Sequence, residues 1–219
     1  MKFGFEMSHM HIMVLALGNV DYYKDSYDVL IAYFKKYNLT YSFITSVDCN
    51  HKNAHPSWLK LLCHKICPGH DFILNWDLDL LPIKTACDIS DYLDYSKLNM
   101  AVDSSLLAGH GGFTPNFKYN GGLIGMPSSL YSWAESVYDK HAPGTMPSYE
   151  QYYLNDEIVH NNIDVNVLWP KFNTLYPNGN NIVGHQLWNA SDFRHYTFGC
   201  STNLRPSKIR EHKNEFFRI

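Results

Sequence analysis

Short apolar runs separated by polar turns dominate the first third of the chain. His11–Leu17 is almost wholly apolar and stops at Gly18-Asn19, the pattern of a buried parallel strand followed by a turn. Val29, Leu30, Tyr33 and Phe34 then recur at helical spacing ahead of the basic pair Lys35-Lys36, which suits a helix end. Tyr41–Val47 alternates and predicts a second strand ending at Asp48. Pro56 opens a predicted helix carrying Trp58, Leu59, Leu61, Leu62 and Ile66, closed by Pro68-Gly69. Phe72–Trp76 predicts a third buried strand. The strand–helix–strand–helix–strand rhythm is that of an α/β domain with a mainly parallel sheet.

Beyond residue 110 glycine and proline punctuate the pattern at Gly111-Gly112, Pro115 and Gly121-Gly122. Leu123–Met126 is strand-like and leads into a helix near Ser129–Lys140; Asp156–His160 is helical, Asn173–Asn181 a polar loop, and Phe193–Gly199 a late strand-like stretch. No repeat or low-complexity tract interrupts the chain. The expectation is one domain over residues 1–219, with a nucleotide-binding half at about 11–110 and a substrate-binding half at about 111–219.

Composition narrows the classes. The 219 residues suffice for a core without disulfide staples. Charged residues make up only 18%, which argues against disorder, and a formal charge of −3 gives no basic field for a nucleic-acid backbone. No apolar run approaches the roughly 20 residues of a membrane span, and Met1–His11 lacks the pattern of a signal peptide. The odd set Cys49, Cys63, Cys67, Cys87 and Cys200 suits reduced thiols, hence a cytoplasmic protein of a bacterium or virus-infected host, or a soluble domain of a longer polypeptide.

The sharpest local feature is Asp77-Leu78-Asp79, directly after a predicted buried strand. Ligands of open α/β sheets bind outside the carboxyl ends of strands, and two carboxylates leaving a strand two residues apart can share one hard cation, Mn²⁺ or Mg²⁺. The plain alternative is a turn before Pro82. Lys60, on the preceding helix, either faces phosphate oxygens or snorkels at the surface. His195 is a chemically sensible third ligand or a satisfied structural histidine. Tyr119-Asn120-Gly121-Gly122 offers an amide beside open backbone where a sugar or phosphate could approach, or an ordinary turn. Asn155-Asp156-Glu157 reads as a helix start, with its acids either capping or facing a reacting carbon. His51 with His55, and Cys63, Cys67 and His70, have spacings only loosely like zinc ligands and lack a paired Cys-x-x-Cys.

Taken in order, these segments resemble GT-A glycosyltransferases, above all the retaining, glycogenin-like family 8, with kinship to family 34 and a looser likeness to a chlorella-virus glycosyltransferase domain. Leu17-Gly18-Asn19 with Tyr22 resembles the segment that holds base and ribose. Leu59-Lys60-Leu61-Leu62-Cys63 is similar to a Lys-Leu-His-Cys stretch whose lysine contacts the sugar nucleotide. Asp77-Leu78-Asp79 matches the Asp-x-Asp motif, and Asp103 falls at a sugar-contacting aspartate. Tyr119-Asn120-Gly121-Gly122-Leu123 resembles Phe-Asn-Ser-Gly-Val, and Asp156-Glu157 an Asp-Gln pair at the reacting face. Leu168–Asn173 is similar to Leu-Pro-x-x-Phe-Asn, and His195-Tyr196 to the His-Phe that completes the metal shell. The Lys-Pro-Trp that follows in the family is absent; Ser201-Thr202-Asn203 and Arg205 occupy that region, which moves diphosphate anchoring to Arg205 or to backbone amides.

The resemblance implies a Rossmann-like GT-A fold, a mainly parallel mixed sheet flanked by helices. It further implies a metal-dependent enzyme that transfers a hexose-type sugar from a UDP-sugar to a carbohydrate or glycan acceptor, with retention. Its metal ligands would be Asp77, Asp79 and His195. Leu17, Gly18, Asn19, Tyr22, Asp48, Lys60, Trp76, Asp103, Asn120 and Gly121 would hold the donor; Lys60, Asp156 and Glu157 would serve the chemistry. Tyr152, Trp169 and Trp188 are aromatic candidates for the acceptor. Two alternatives remain open on the sequence: a phosphatase of the haloacid-dehalogenase type, and a non-catalytic carbohydrate-binding module on the same fold.

Overall fold

A computed structural model of the chain describes residues 10–18, 23–104, 118–143, 149–177, 182–196 and 203–218, with backbone alone at Tyr149 and Ile182. The first strand, β1 (Met10–Leu15), sends Ile12 and Val14 to one face of a sheet and Met13 to the other, all fully buried. Alternation at period two thus makes the strand the partition between two cores. Helix α1 (Tyr23–Lys36) carries Asp25 in its first turn and Lys35-Lys36 in its last, complementing its dipole, and buries Val29, Leu30, Tyr33 and Phe34 on the Ile12 face. Asn38 follows at φ 53°, a left-handed position that asparagine tolerates well, and the chain turns into β2 (Tyr41–Ile44).

The helix expected from Pro56 is a 3₁₀ segment, Pro56–Leu62, passing into one α turn, α2 (Cys63–Ile66). Trp58, Leu59, Lys60, Leu61 and Leu62 are buried in succession, so packing rather than an amphipathic period sets this winding. Strand β3 (Phe72–Asp77) is followed by the short β4 (Leu80–Pro82) and by β5 (Leu98–Val102). Strand β6 (Tyr119–Pro127) is buried throughout and longer than the expected Leu123–Met126, because it absorbs Tyr119–Gly122, for which an ordinary turn was one of two readings. Helices α3 (Tyr131–His141) and α4 (Tyr149–His160) cover the Met13 face. Then come β7 (Val165–Leu168), β8 (Thr174–Leu175), α5 (Ile182–Asn189), β9 (Phe193–His195) and α6 (Arg205–Phe217).

The main sheet has the order β2-β1-β3-β6-β5-β7. Strand β6 runs antiparallel to both neighbours, while β1–β2, β1–β3 and β5–β7 pair in parallel, so one reversed strand lies in an otherwise co-directed sheet. A small second sheet, β4-β9-β8, closes one end. This is an α/β fold with a mixed, mainly parallel sheet between helices. Strand β6 sits between β3 and β5, so the expected halves share one sheet. Among the described residues, Cys49, Cys63, Cys67 and Cys87 are free thiols, and no helix is long and apolar enough to cross a membrane.

Candidate metal centre

Parallel pairing brings the carboxyl ends of β1, β2, β3, β5 and β7 to one rim. Asp77 ends β3, and Asp79 lies in the turn to β4. That turn is braced from within: the Trp76 indole N–H donates to the Leu80 carbonyl at 2.7 Å. The Trp76 ring lies 5.8, 5.5 and 5.2 Å from those of Tyr33, Phe34 and Phe193. Trp76 is 1% exposed, so its expected contact with a nucleotide base is corrected; the ring is a core residue with no open face.

The small sheet supplies the third ligand. Leu80 pairs with His195, and the Tyr196 N–H donates to the Asp79 carbonyl at 2.9 Å, which seats the end of β9 beside the Asp turn. His195 Nε2 stands 3.1 Å from Asp79 Oδ1 and 3.5 Å from Asp77 Oδ2. Among the described residues these three are the one group of metal-type ligands whose donor atoms lie within 4.8 Å of one another. Neighbouring ligands of an octahedral cation with bonds of about 2.1 Å lie about 3 Å apart, so the separations suit Mg²⁺ or Mn²⁺.

The orientation of the His195 ring follows from the backbone. The Gly122 N–H donates to Asn120 Oδ1 at 2.8 Å, which fixes that amide with Nδ2 toward Asp103 Oδ2 at 3.2 Å. Asn173 Nδ2 must then donate to Asn120 Oδ1, at 2.7 Å, leaving Asn173 Oδ1 to accept from His195 Nδ1–H at 2.8 Å. Nε2 is therefore the ring nitrogen turned to the two carboxylates, hydrogen-bonded to Asp79 Oδ1 at 3.1 Å, and it is the nitrogen that can ligate once it carries no proton. Three groups able to ligate converge on one point, the arrangement a cation satisfies.

The carboxylates respond unequally to crowding. Burial pushes the Asp77 carboxyl above its ordinary value and Asp79 adds to this, against the pull of Lys60 and His195. At Asp79 burial also pushes upward, but His195 and then Arg205 outweigh it and hold the carboxyl down. Lys60 is no surface lysine: it is 4% exposed, and its ammonium donates to Asp77 Oδ1 at 2.5 Å, to the Gly121 carbonyl at 2.7 Å and to Glu150 Oε1 at 3.4 Å. Burial disfavours its charge, yet Asp77 and Glu150 more than offset that and raise its pKa. Arg205, the first residue of α6, reaches Asp79 Oδ2 through Nη1 at 3.3 Å.

Gly121 and Gly122 lie where the β5–β6 register shifts, between the pairs Met100–Ile124 and Ala101–Asn120. Their N–H groups bond instead to the side chains of Gln151, at 2.8 Å, and Asn120. A Cβ at Gly122 would lie 2.5 Å from His195 Cε1, so that position requires glycine unless the ring moves, and one at Gly121 would lie 2.9 Å from Glu150 Oε1 and displace that carboxylate. Gln151 Nε2 donates to Asp103 Oδ2 at 3.2 Å, joining α4 to the network.

The expected donor residues divide. Asp103, Asn120, Gly121 and Lys60 join the centre. Leu17 is half-buried after β1, and Gly18 follows it, exposed, at φ 95°; Asp48 is exposed beyond β2. Asn19 and Tyr22 lie outside the described residues. Asp156 and Glu157 are not at a helix start but in the last turns of α4. Glu157 lies seven residues, about 10 Å, along the axis from Glu150. Its carboxylate accepts from Lys140 at 2.6 Å, His141 at 2.7 Å and Asn161 at 2.7 Å. Asp156 is exposed. The acid–amide pair that α4 brings to the rim is Glu150-Gln151, which the sequence reading missed; Ser148-Tyr149-Glu150-Gln151 has the spacing of a capping box and was the signal for an earlier start.

Of the aromatic candidates, Trp169 is 73% exposed just beyond β7, whereas Trp188 packs against Tyr176, Tyr196 and Arg194. Tyr152 is half-buried against Tyr153. His55 caps the 3₁₀ segment by accepting from the Ser57 N–H, and His51 faces Asp139, so neither belongs to a metal cluster.

No protein-family model and no curated sequence matches the chain. Solved structures do. A glycosyltransferase involved in glycosylation of the major capsid of PBCV-1 superposes with a TM-score of 0.67 over 94% of this chain and 99% of that one, at 14% identity. The bifunctional glycosyltransferase WbbM gives 0.62 over 89% of this chain and 47% of its own, at 12% identity. Galactosyltransferase LgtC, in complex with donor and acceptor sugar analogues, gives 0.53 over 96% and 97%, at 12% identity. Matches across nearly the whole chain, with one reversed strand beside the Asp-x-Asp turn, establish that this protein has the GT-A fold and is structural kin to the GT-A glycosyltransferases.

Proposed function

We propose that the protein is a metal-dependent glycosyltransferase that moves a hexose-type sugar from a UDP-sugar to a carbohydrate or glycan acceptor, with retention of anomeric configuration. The observation that carries this reading is the convergence of Asp77, Asp79 and His195 Nε2 at the carboxyl rim of a GT-A sheet. The chemistry that Mn²⁺ or Mg²⁺ supplies when bound there is neutralisation of charge on the diphosphate leaving group.

The chain's own groups carry the rest. Lys60, held by Asp77, Glu150 and the Gly121 carbonyl, offers a fixed ammonium to departing phosphate oxygens, a contribution greatest when their charge is greatest. Leu17 and Gly18 after β1 and Asp48 after β2 hold the nucleoside, with Asn19 and Tyr22, which follow in sequence, completing the set expected from the resemblance. Asp103 and Asn120 orient sugar hydroxyls, and Glu150-Gln151 takes the reacting-face role expected of Asp156 and Glu157. Trp169 offers an open ring face to an acceptor sugar. A galactosyltransferase of this fold holds donor and acceptor sugar analogues together, which supports a two-sugar reaction.

The test is Asp79→Asn. UDP release and sugar transfer with Mn²⁺ should fall at least about 100-fold, and the Mn²⁺ electron-paramagnetic signal of free ion should no longer be quenched by the protein. Undiminished, metal-dependent turnover would sink the reading.

A further inference from the structure

We infer that Arg205 is a partner-exchanging anchor: it pairs with Asp79 while the metal centre is empty and transfers to the donor's diphosphate once a divalent cation takes Asp79. The inference rests on the function proposed above and deepens it. Four observations carry it. First, Asp79 divides its oxygens, Oδ1 to His195 and Oδ2 to Arg205 Nη1, at 3.1 and 3.3 Å. Arg205 thus neutralises a carboxylate that the cation must claim. Second, the Arg205 side chain keeps 20% of its surface exposed, so part of it is within reach of an incoming ligand.

Third, its base is fixed. Helix α6 is held to α1 by Lys213 with Asp25 and Asp28, at 2.9 and 2.6 Å, and by Arg210 with Asp25 at 3.3 Å. His212, buried on the same helix, contacts the Pro82 carbonyl at 2.8 Å through Nε2, beside the small sheet.

Fourth, the charges change sign. Asp77, Asp79 and Glu150 against Lys60 and Arg205 leave one net negative charge, His195 aside; a divalent cation turns this to one net positive. Lys60 stays where it is, tied also to the Gly121 carbonyl. Arg205 then faces a neutralised carboxylate, and its planar fork suits two diphosphate oxygens better than one screened Asp79 oxygen. No covalent bond changes in this step.

Isothermal titration with Mn²⁺ alone, and with UDP in the presence of Mn²⁺ or of chelator, tests the exchange on wild type, Arg205→Gln and Arg205→Lys. Removing a competing cation should tighten Mn²⁺ binding to Arg205→Gln about two- to fivefold, the value of a partly exposed ion pair. The same variant should bind UDP with Mn²⁺ about 10- to 100-fold more weakly, the value of a lost charge-assisted contact. Arg205→Lys should fall between. Opposite signs are the signature, because a merely structural arginine would weaken both affinities in parallel, and that outcome overturns the inference, as does no change in either. Wild type that binds neither Mn²⁺ nor UDP would instead overturn the proposed function itself. Thermal unfolding of each variant within a few degrees of wild type certifies that the titrations compare folded proteins.

Discussion

Replacing Glu157 with Gln separates a packing role from a catalytic one. The Glu157 carboxylate is 6% exposed and accepts from Lys140, His141 and Asn161. Burial alone would raise its pKa, but these three donors outweigh it and hold the carboxyl at about 2, against an ordinary 4.5. A depression of that size is about 3 kcal/mol of preference for the ionised form. Lys140 is 60% exposed, and solvent screens its share, so about 2 kcal/mol is the working figure.

The folded value lies below the unfolded one. The stabilisation is therefore complete above about pH 5 and lost as pH falls through the folded value near 2. Glu157→Gln should lower stability by about 2 kcal/mol at pH 7, or about 4–8 °C in melting temperature for a chain this long. The gap should close between about pH 5 and pH 2. Urea unfolding followed by circular dichroism at pH 7 and pH 3 reads both quantities, while Mn²⁺ binding and UDP release should stay at wild-type level. A variant of unchanged stability that has lost turnover would refute the reasoning and return Glu157 to the chemistry.

Gly122→Ala forces a Cβ to within 2.7 Å of His195 Nδ1 and 2.9 Å of Asn173 Nδ2, so it should cost about 1–3 kcal/mol in overpacking and weaken Mn²⁺ binding, read by unfolding and by titration on one preparation. Asn173→Ala removes the acceptor of His195 Nδ1–H and should weaken Mn²⁺ binding about 10- to 100-fold. With Mg²⁺ bound, nitrogen chemical shifts of His195 should then lose the Nδ1–H pattern expected of wild type; an unaltered spectrum would remove Asn173 from the relay.

Strands β1 and β3 were legible because each is a compact apolar run that ends in turn chemistry, and Asp77-Leu78-Asp79 could be placed at a sheet exit for the same reason; β2 was legible from its alternation, which runs on past the strand's end at Ile44. His195 was nameable as a ligand by motif order, but its partner Asn173 and the direction of the relay depend on the Gly122 N–H, a backbone detail that side-chain patterns do not carry. Gly121-Gly122 looked like a turn because glycine usually breaks strands; here the missing side chains make room for Glu150 and His195 inside one. Trp76 could stack on a base or fill a core, and only the packing of Tyr33, Phe34 and Phe193 decides. Glu150-Gln151 was missed because α4 begins earlier than its apolar residues suggest. Strands β4 and β8 are too short for any periodicity, and tertiary contact alone makes them.

The small sheet has a consequence for how metal affinity comes into being. Asp79 and His195 are 116 positions apart, and closing a loop of that length in a flexible chain costs on the order of 4 kcal/mol. An unfolded or partly synthesised polypeptide therefore offers only isolated, weak chelating groups. Under the proposed function, tight coordination requires the pairing of β9 with β4, so a bound ion would report on that long-range closure, and a chelator would withdraw its hold on native protein while leaving the denatured ensemble untouched.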